Sequence, residues 1–296
     1  MTGSGARALN TIATAALALL IGVFVCPVSS AAQEVVRYPN PESSADKRAA
    51  YPVAVLKLCS REAIDRFEIT PTTFHAQQER NIRQLAKGEG VDVIWAVGNA
   101  EREKLLLPIR IPIDRGLIGW RLLLIRQQDR NLFDTVTRDQ LATLYAGQGH
   151  DWPDVDVLRA NHLRVSTSTT YEGLFKMLAK GHIQYFPRSI SEIWPELAAH
   201  EKLGLEVQGT LALHYPQALY FFVRRDDRQL ARQLTNCLEA ATGDGSLRRL
   251  FYEYYRDDIA KADLPHRTVI ELTNPYYTPD SPTSTHSHWF TPGESQ

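Results

Sequence analysis

The stretch from Gly90 to Gln128 constrains the fold more than any other part of this 296-residue chain. It opens on an apolar run, Val91-Asp92-Val93-Ile94-Trp95-Ala96, short and β-rich enough for a buried strand. Val97-Gly98-Asn99 breaks the run, and Ala100-Glu101-Arg102-Glu103-Lys104-Leu105-Leu106 follows as one or two helical turns with Asn99 at the N-cap. Pro108 and Pro112 force extended chain, and Arg121 to Arg126 is a second strand-like run. A strand passing through a short turn into a helix N-terminus gathers free amides at one point, a good place to hold a negative group. Arg102 sits on that first turn, where a guanidinium adds a bidentate charge. The alternative is a surface helix with a charge pair three residues apart.

The same unit recurs along the chain. Val35 to Tyr38 reads as a strand, followed by a polar loop holding Asp46 and Arg48. Pro52 near a helix start precedes an apolar stripe at helical spacing, Val55, Leu56, Cys59, Ala63, Ile64 and Phe67, which Thr70 to Thr73 breaks. A helix over Ala76–Lys87, ended by Gly88 and Gly90, leads into the strand at Val91. After the polar joint 127–131, Thr137 caps a helix, and Leu163-Arg164-Val165 is a strand running into the hydroxyl run Ser166–Thr170. Tyr171 to Leu178 presents a helix face, and His182 to Phe186 is the next strand. Strands at Leu205–Leu213 and Ala218–Val223, then helices at Gln229–Ala241 and Ser246–Tyr255, complete the pattern. Strands alternating with helices make an α/β protein whose strands point their carboxyl ends at a shared crevice. The run of hydroxyls either caps the helix or presents side-chain donors to a ligand; the sequence leaves both open.

Net charge of −1 and the lack of any long Lys/Arg run exclude a nucleic-acid footprint. No G-x-S-x-G, H-E-x-x-H, Walker A or paired Cys/His zinc spacing is present, so no catalytic, cofactor or metal motif is expected. His286 and His288 by themselves make no metal site. Met1–Asn10 carries one Arg and no acid, Thr11–Val25 is apolar or small, and Pro27–Ala32 offers small residues around a cut. That layout predicts a secretory signal peptide over residues 1–32, its apolar run shorter than the roughly 20 residues that span a bilayer. Val25 precedes Cys26 where a lipoprotein signal needs a small residue, so no lipid anchor is expected. Cys59 and Cys237 then remain in an oxidising compartment, either paired or as separate buried thiols.

The order "G-x-D-V … E-R-E … P … G … strand ending in Arg" over Gly90–Arg126 resembles the first half of type 2 periplasmic solute-binding proteins of the polar-amino-acid class. The order "strand, R-x-D-D, helix, x-D-G-S, helix" over Ala218–Tyr255 resembles their last third. The resemblance covers roughly Val35 to Asp263 and implies a two-lobed α/β fold with lobe two inserted in a discontinuous lobe one. It places lobe one at 33–122 and 219–273, lobe two at 123–218, and two hinge crossings at Leu122–Gln128 and Tyr215–Val223. Residues 274–296, rich in Pro, Ser and Thr, read as a flexible tail.

By that resemblance Arg102 meets a ligand carboxylate, joined from the second lobe by Ser168 and Thr169, although the family's Gly is missing there. The family's ammonium-binding Asp is replaced by Arg188 and Ser189, with Glu192 the nearest acid, which counts against a simple α-amino acid and leaves either an anionic ligand or a cleft that has lost its ancestral one. Trp95, Gly98, Tyr51 and Trp120 are candidate wall residues, and Asp46 and Arg48 lie in a loop that often contacts ligand. The implied function is a periplasmic protein, expected to be monomeric, that delivers a small-molecule solute to an ABC-type permease. A membrane sensor partner and, further off, an enzyme with a site built only in three dimensions are the alternatives.

Overall fold

The computed structural model describes residues 34–41, 46–62, 67–277 and 289–294. The signal-peptide reading and the two histidines at 286 and 288 therefore lie outside the described residues. Among the described residues, no helix is long and apolar enough to cross a membrane.

The chain begins with strand β1 (Glu34–Asn40), helix α1 (Ala50–Glu62) and strand β2 (Phe67–His75), which pairs parallel to β1 with Val36 opposite Ile69. Phe67, expected on the helical stripe, and Thr70–Thr73, expected to break it, instead form β2; the β-branched Ile69, Thr70, Thr72 and Thr73 suit a pleated strand. Helix α2 (Gln78–Lys87) ends at Gly88, whose φ of 72° closes the C-cap. Strand β3 (Val93–Val97), helix α3 (Ala100–Leu105) and strand β4 (Leu106–Ile109) follow. Asp92 joins β1 to β3: its backbone N donates to the Arg37 carbonyl at 2.9 Å, and its carboxylate takes both Nε and Nη2 of Arg37.

The second sheet is built on β5 (Trp120–Arg126). Leu122 to Ile125 are wholly buried, which explains an apolar run without alternation. Helices α4 (Arg130–Phe133) and α5 (Arg138–Leu141), the latter opened by a Thr137/Gln140 capping box, lead to strand β6 (Tyr145–Gly149). Helix α6 (Asp154–Ala160), strand β7 (Arg164–Ser168) and helix α7 (Tyr171–Ala179) come next, with β7 parallel to β6. Three residues of the hydroxyl run thus belong to β7, and Thr170 caps α7 by accepting from the Gly173 N.

Strand β8 (Phe186–Ser189) pairs antiparallel with β5, and its last residue caps helix α8 (Ile190–Ala199) through a box with Glu192. Strands β9 (Leu205–Val207) and β10 (Leu211–His214) also pair with β5. The chain then returns to the first lobe as β11 (Leu219–Arg224), the centre of β3-β11-β4, followed by helices α9 (Arg228–Gly243) and α10 (Ser246–Ala262). Strand β12 (Thr268–Glu271) closes on β10, so these residues, expected in lobe one, extend the second sheet.

The first crossing lies earlier than expected, and the second is shorter, because Leu219–Val223 already belongs to β11. Leu122–Arg126 is tied into the β5 ladder, and the chain changes lobe at Pro112–Gly119 and again at Tyr215–Ala218. The two crossings run side by side. Ile113 N donates to the Leu219 carbonyl at 3.0 Å, and a Cβ on Gly119 would stand 2.3 Å from the Tyr215 carbonyl, so only glycine fits. Asp114, 1% exposed, laces them by accepting from the backbone N of Gly116, Ile118 and Leu219. Cys59 of α1 and Cys237 of α9 form a disulfide with Cα atoms 5.4 Å apart.

The tail also differs from expectation at both described ends. Asn274 donates to the Pro216 carbonyl at 2.7 Å, Tyr276 bonds Asp156, and Phe290 is 6% exposed against Trp120 and Phe251. Aromatic and amide groups inside the Pro/Ser/Thr-rich stretch supply the anchors that composition alone hides.

Candidate functional site

A cavity of about 310 Å³ opens between the two lobes in front of the crossings. From the first lobe come the loop after β1 with Asp46 and Arg48, the start of α1 with Tyr51, β3 with Trp95, and α3 with Arg102. The second lobe supplies Arg121 at the start of β5, Trp152 and Asp154 before and in α6, Arg188 on β8 and Glu192 on α8. Tyr254, Tyr255 and Asp258 of α10 close one side. The volume suits a small-metabolite ligand.

Arg102 is held by its own turn. Asn99, as N-cap, accepts from the Arg102 backbone N at 2.8 Å, which fixes where the side chain leaves the helix. The guanidinium donates to the Val97 carbonyl at 2.8 Å, to Gln78 Oε1 at 2.8 Å and, across the cleft, to the Asp151 carbonyl at 3.1 Å. All three acceptors are neutral, and no described carboxylate pairs with it although it is only 5% exposed. Burial lowers its pKa, and the more distant Asp151, Glu79 and Asp154 pull it back. A guanidinium has five N–H donors, so these three bonds leave donors for another acceptor.

The other cations are already matched. Arg48 forks onto Asp46, with Nε to Oδ1 and Nη2 to Oδ2 both at 2.8 Å, and lies 4.3 Å over the Tyr171 ring. Arg188 lies beside the rings of Trp152 and Phe186, 4.9 Å from each, and forks onto Glu196 at 2.7 and 2.6 Å with Glu192 at 3.0 Å. Burial opposes the Arg188 charge, but Glu192 and Glu196 outweigh it and its pKa rises. Arg121 reaches Asp154 and Gln217, each at 2.7 Å, and Glu192 at 3.4 Å. Its Nε has no partner, and neither does Oδ1 of Asn81 on the opposite wall. The Tyr171 hydroxyl donates to Glu196 at 2.9 Å, and burial beside that carboxylate pushes its pKa far up.

Of the residues singled out in the sequence, Asp46, Arg48, Tyr51, Trp95, Arg102 and Arg188 are brought to the cavity. Tyr51 is tied down by its hydroxyl, which donates to the Ile113 carbonyl at 2.6 Å. Four residues do not line it. Trp120 stacks on His214, ring centroids 4.0 Å apart, because strand alternation turns it away from Arg121. Gly98 directly follows β3, and a Cβ there would meet Glu103 at 3.1 Å. Ser168 and Thr169 border a separate crevice at the cleft rim, where the Ser168 hydroxyl donates to the Thr170 carbonyl. There the Thr169 carbonyl accepts from Gln77 at 2.7 Å, and Asp151 accepts from the Glu79 N at 3.2 Å, so the rim residues hold lobe to lobe. Sequence reasoning missed Arg121 and Asp154. The one available signal was a charge heading the wholly apolar run of β5, since a buried charge needs a partner.

No family model matches the sequence, and no curated protein matches it either. Solved structures do resemble it. An ancestral arginine-binding protein bound to arginine is 12% identical, with 75% of this chain and 99% of that one covered and a TM-score of 0.58. The GluR0 ligand-binding core in complex with L-glutamate is 14% identical, covering 76% and 99%, with a TM-score of 0.57. GshT of Streptococcus mutans, described with glutathione import and the cystine ABC importer TcyBC, is 13% identical, covering 76% and 95%, with a TM-score of 0.55. At such identities the likeness is one of architecture, and the chain has the two-lobed α/β fold of type 2 periplasmic binding proteins.

Proposed function

We propose that this protein captures a small carboxylate-bearing or otherwise anionic solute between its lobes and carries no covalent chemistry. The observation behind this reading is Arg102: a buried guanidinium in the cleft whose partners are all neutral, while its neighbours Arg48, Arg121 and Arg188 each have a carboxylate. An unneutralised buried cation favours an anion in its cavity. The aromatic faces of Trp95, Trp152, Tyr254 and Tyr255 would cover the rest of the solute. The arginine bound to the ancestral protein and the L-glutamate bound to GluR0 each carry a carboxylate, which supports that part of the reading. Hinge closure at the two crossings is the means of capture, and an ABC-type permease the recipient.

The experiment is thermal unfolding of residues 33–296 against amino acids, dicarboxylates and glutathione. A ligand at 100-fold over its Kd adds about 2.7 kcal/mol, a shift of several degrees for a domain of this size. A hit is expected, and Arg102→Ala is expected to abolish it while still folding. A hit that survives that substitution removes Arg102 from the reading. Silence across the panel favours a second reading, an interaction or sensor module, for which the self-paired Arg48, Arg121 and Arg188 also speak.

A further inference from the structure

The segment 289–294 sits behind the cavity, on the first crossing. Arg115 and Gly116 there have φ of 52° and 74°, two consecutive left-handed residues in the turn that joins the lobes. Phe290 N donates to the Arg115 carbonyl at 2.7 Å. The Arg115 guanidinium donates to both oxygens of Glu294, at 2.6 and 3.1 Å, and to the Trp289 carbonyl at 3.2 Å. Tyr252 of α10 donates its hydroxyl to Glu294 as well. The Trp289 ring lies so close over Gly116 that a Cβ there would stand 2.3 Å from it. Phe290 meets Trp120 of the second sheet edge-on at 6.4 Å and Phe251 of the first lobe at 6.3 Å.

We propose that residues 289–294 form a strap that holds the hinge where the lobes meet, so that releasing the strap shifts the molecule toward separated lobes. The strap touches the crossing, β5 and α10 at once, so it fits only one relative placement of the lobes. In that placement Gln77 reaches the Thr169 carbonyl and Arg102 the Asp151 carbonyl across the rim. A segment that binds one conformation better than another shifts the population toward it by its differential affinity. None of its residues lines the cavity, so the strap acts whether or not the cleft takes a solute.

The test needs no ligand. Lys87 of α2 and Lys180 after α7 are exposed on different lobes. Spin labels on K87C and K180C, with the Cys59–Cys237 bond intact, report the distance distribution between lobes in residues 33–296. Phe290→Ala with Glu294→Ala is expected to lengthen and broaden that distribution relative to the labelled parent, as is a chain ending at Tyr277. If either variant fails to fold by circular dichroism, Glu294→Gln, which only weakens the ion pair, is expected to do the same to a smaller degree. An unchanged or shorter distribution in folded variants overturns the proposal.

Discussion

Glu196 illustrates how much one residue carries in this cleft. It is 3% exposed, takes both prongs of Arg188 and accepts the Tyr171 hydroxyl. Removing one partner of a buried pair leaves an uncompensated charge, which typically costs about 3–5 kcal/mol. Glu196→Ala is therefore expected to destabilise by about 3 kcal/mol, the low end because Glu192 remains 3.0 Å from Arg188. Urea denaturation measures it, and a loss under about 1 kcal/mol would mean that Arg188 relaxes to solvent or to Glu192 alone. The place of Arg102 on the first turn of a helix capped by Asn99 was legible in the sequence, because capping is a local pattern. Its cross-lobe bond to Asp151 was not, because that contact joins residues 49 apart.

At the scale of elements, α2 with its Gly88 C-cap, α7 with Thr170 and α9 with Asp227 read closely from sequence, whereas α10, without a side-chain cap, runs on to Ala262 beyond the expected Tyr255. Strand β2 did not, since its threonines look like a break until β1 offers them a partner; β12 likewise exists only because β10 is there to pair with it. The disulfide stands between these cases. Two cysteines are pairable by composition, but only the packing of α1 on α9 brings their Cα atoms to 5.4 Å. The bond closes a separation of 178 residues within the first lobe, and its loss is expected to cost about 2–5 kcal/mol. Comparing denaturation midpoints of the oxidised protein and Cys59→Ser/Cys237→Ser checks this, and equal midpoints would show that the bond adds nothing.

At the scale of the whole molecule, Asp114 joins the two crossings and with them the lobes. Burial pushes its pKa from 3.8 up to about 6, against the backbone N–H bonds that pull it down. A carboxyl with a raised folded pKa favours folding while protonated, and loses that advantage as pH rises from about 4 to 6. The lost stability is about 3 kcal/mol at ~1.36 kcal/mol per pH unit. The stability difference between the parent and Asp114→Asn is therefore expected to move against the parent by that amount between pH 4 and 7. Urea denaturation across that range tests it, and a difference independent of pH would mean that Asp114 ionises normally.

The alternation of strands and helices, the caps, the apolar run of β5 and the hydroxyl run before α7 are products of local spacing. They determined the α/β class and, with the resemblance, the two-lobed plan. Tertiary structure alone decided what faces the cavity. Trp120 and Arg121 are neighbours in sequence, but the strand turns one toward His214 and the other into the cleft. Ser168 and Thr169 stand at the rim and not beside the solute cavity because β7 runs on through the first hydroxyls. The crossings fall at Pro112–Gly119 and Tyr215–Ala218 because only there does the chain leave one sheet's ladder before entering the other. Local pattern reports which backbone a residue prefers; which partner it meets depends on chain brought from far away.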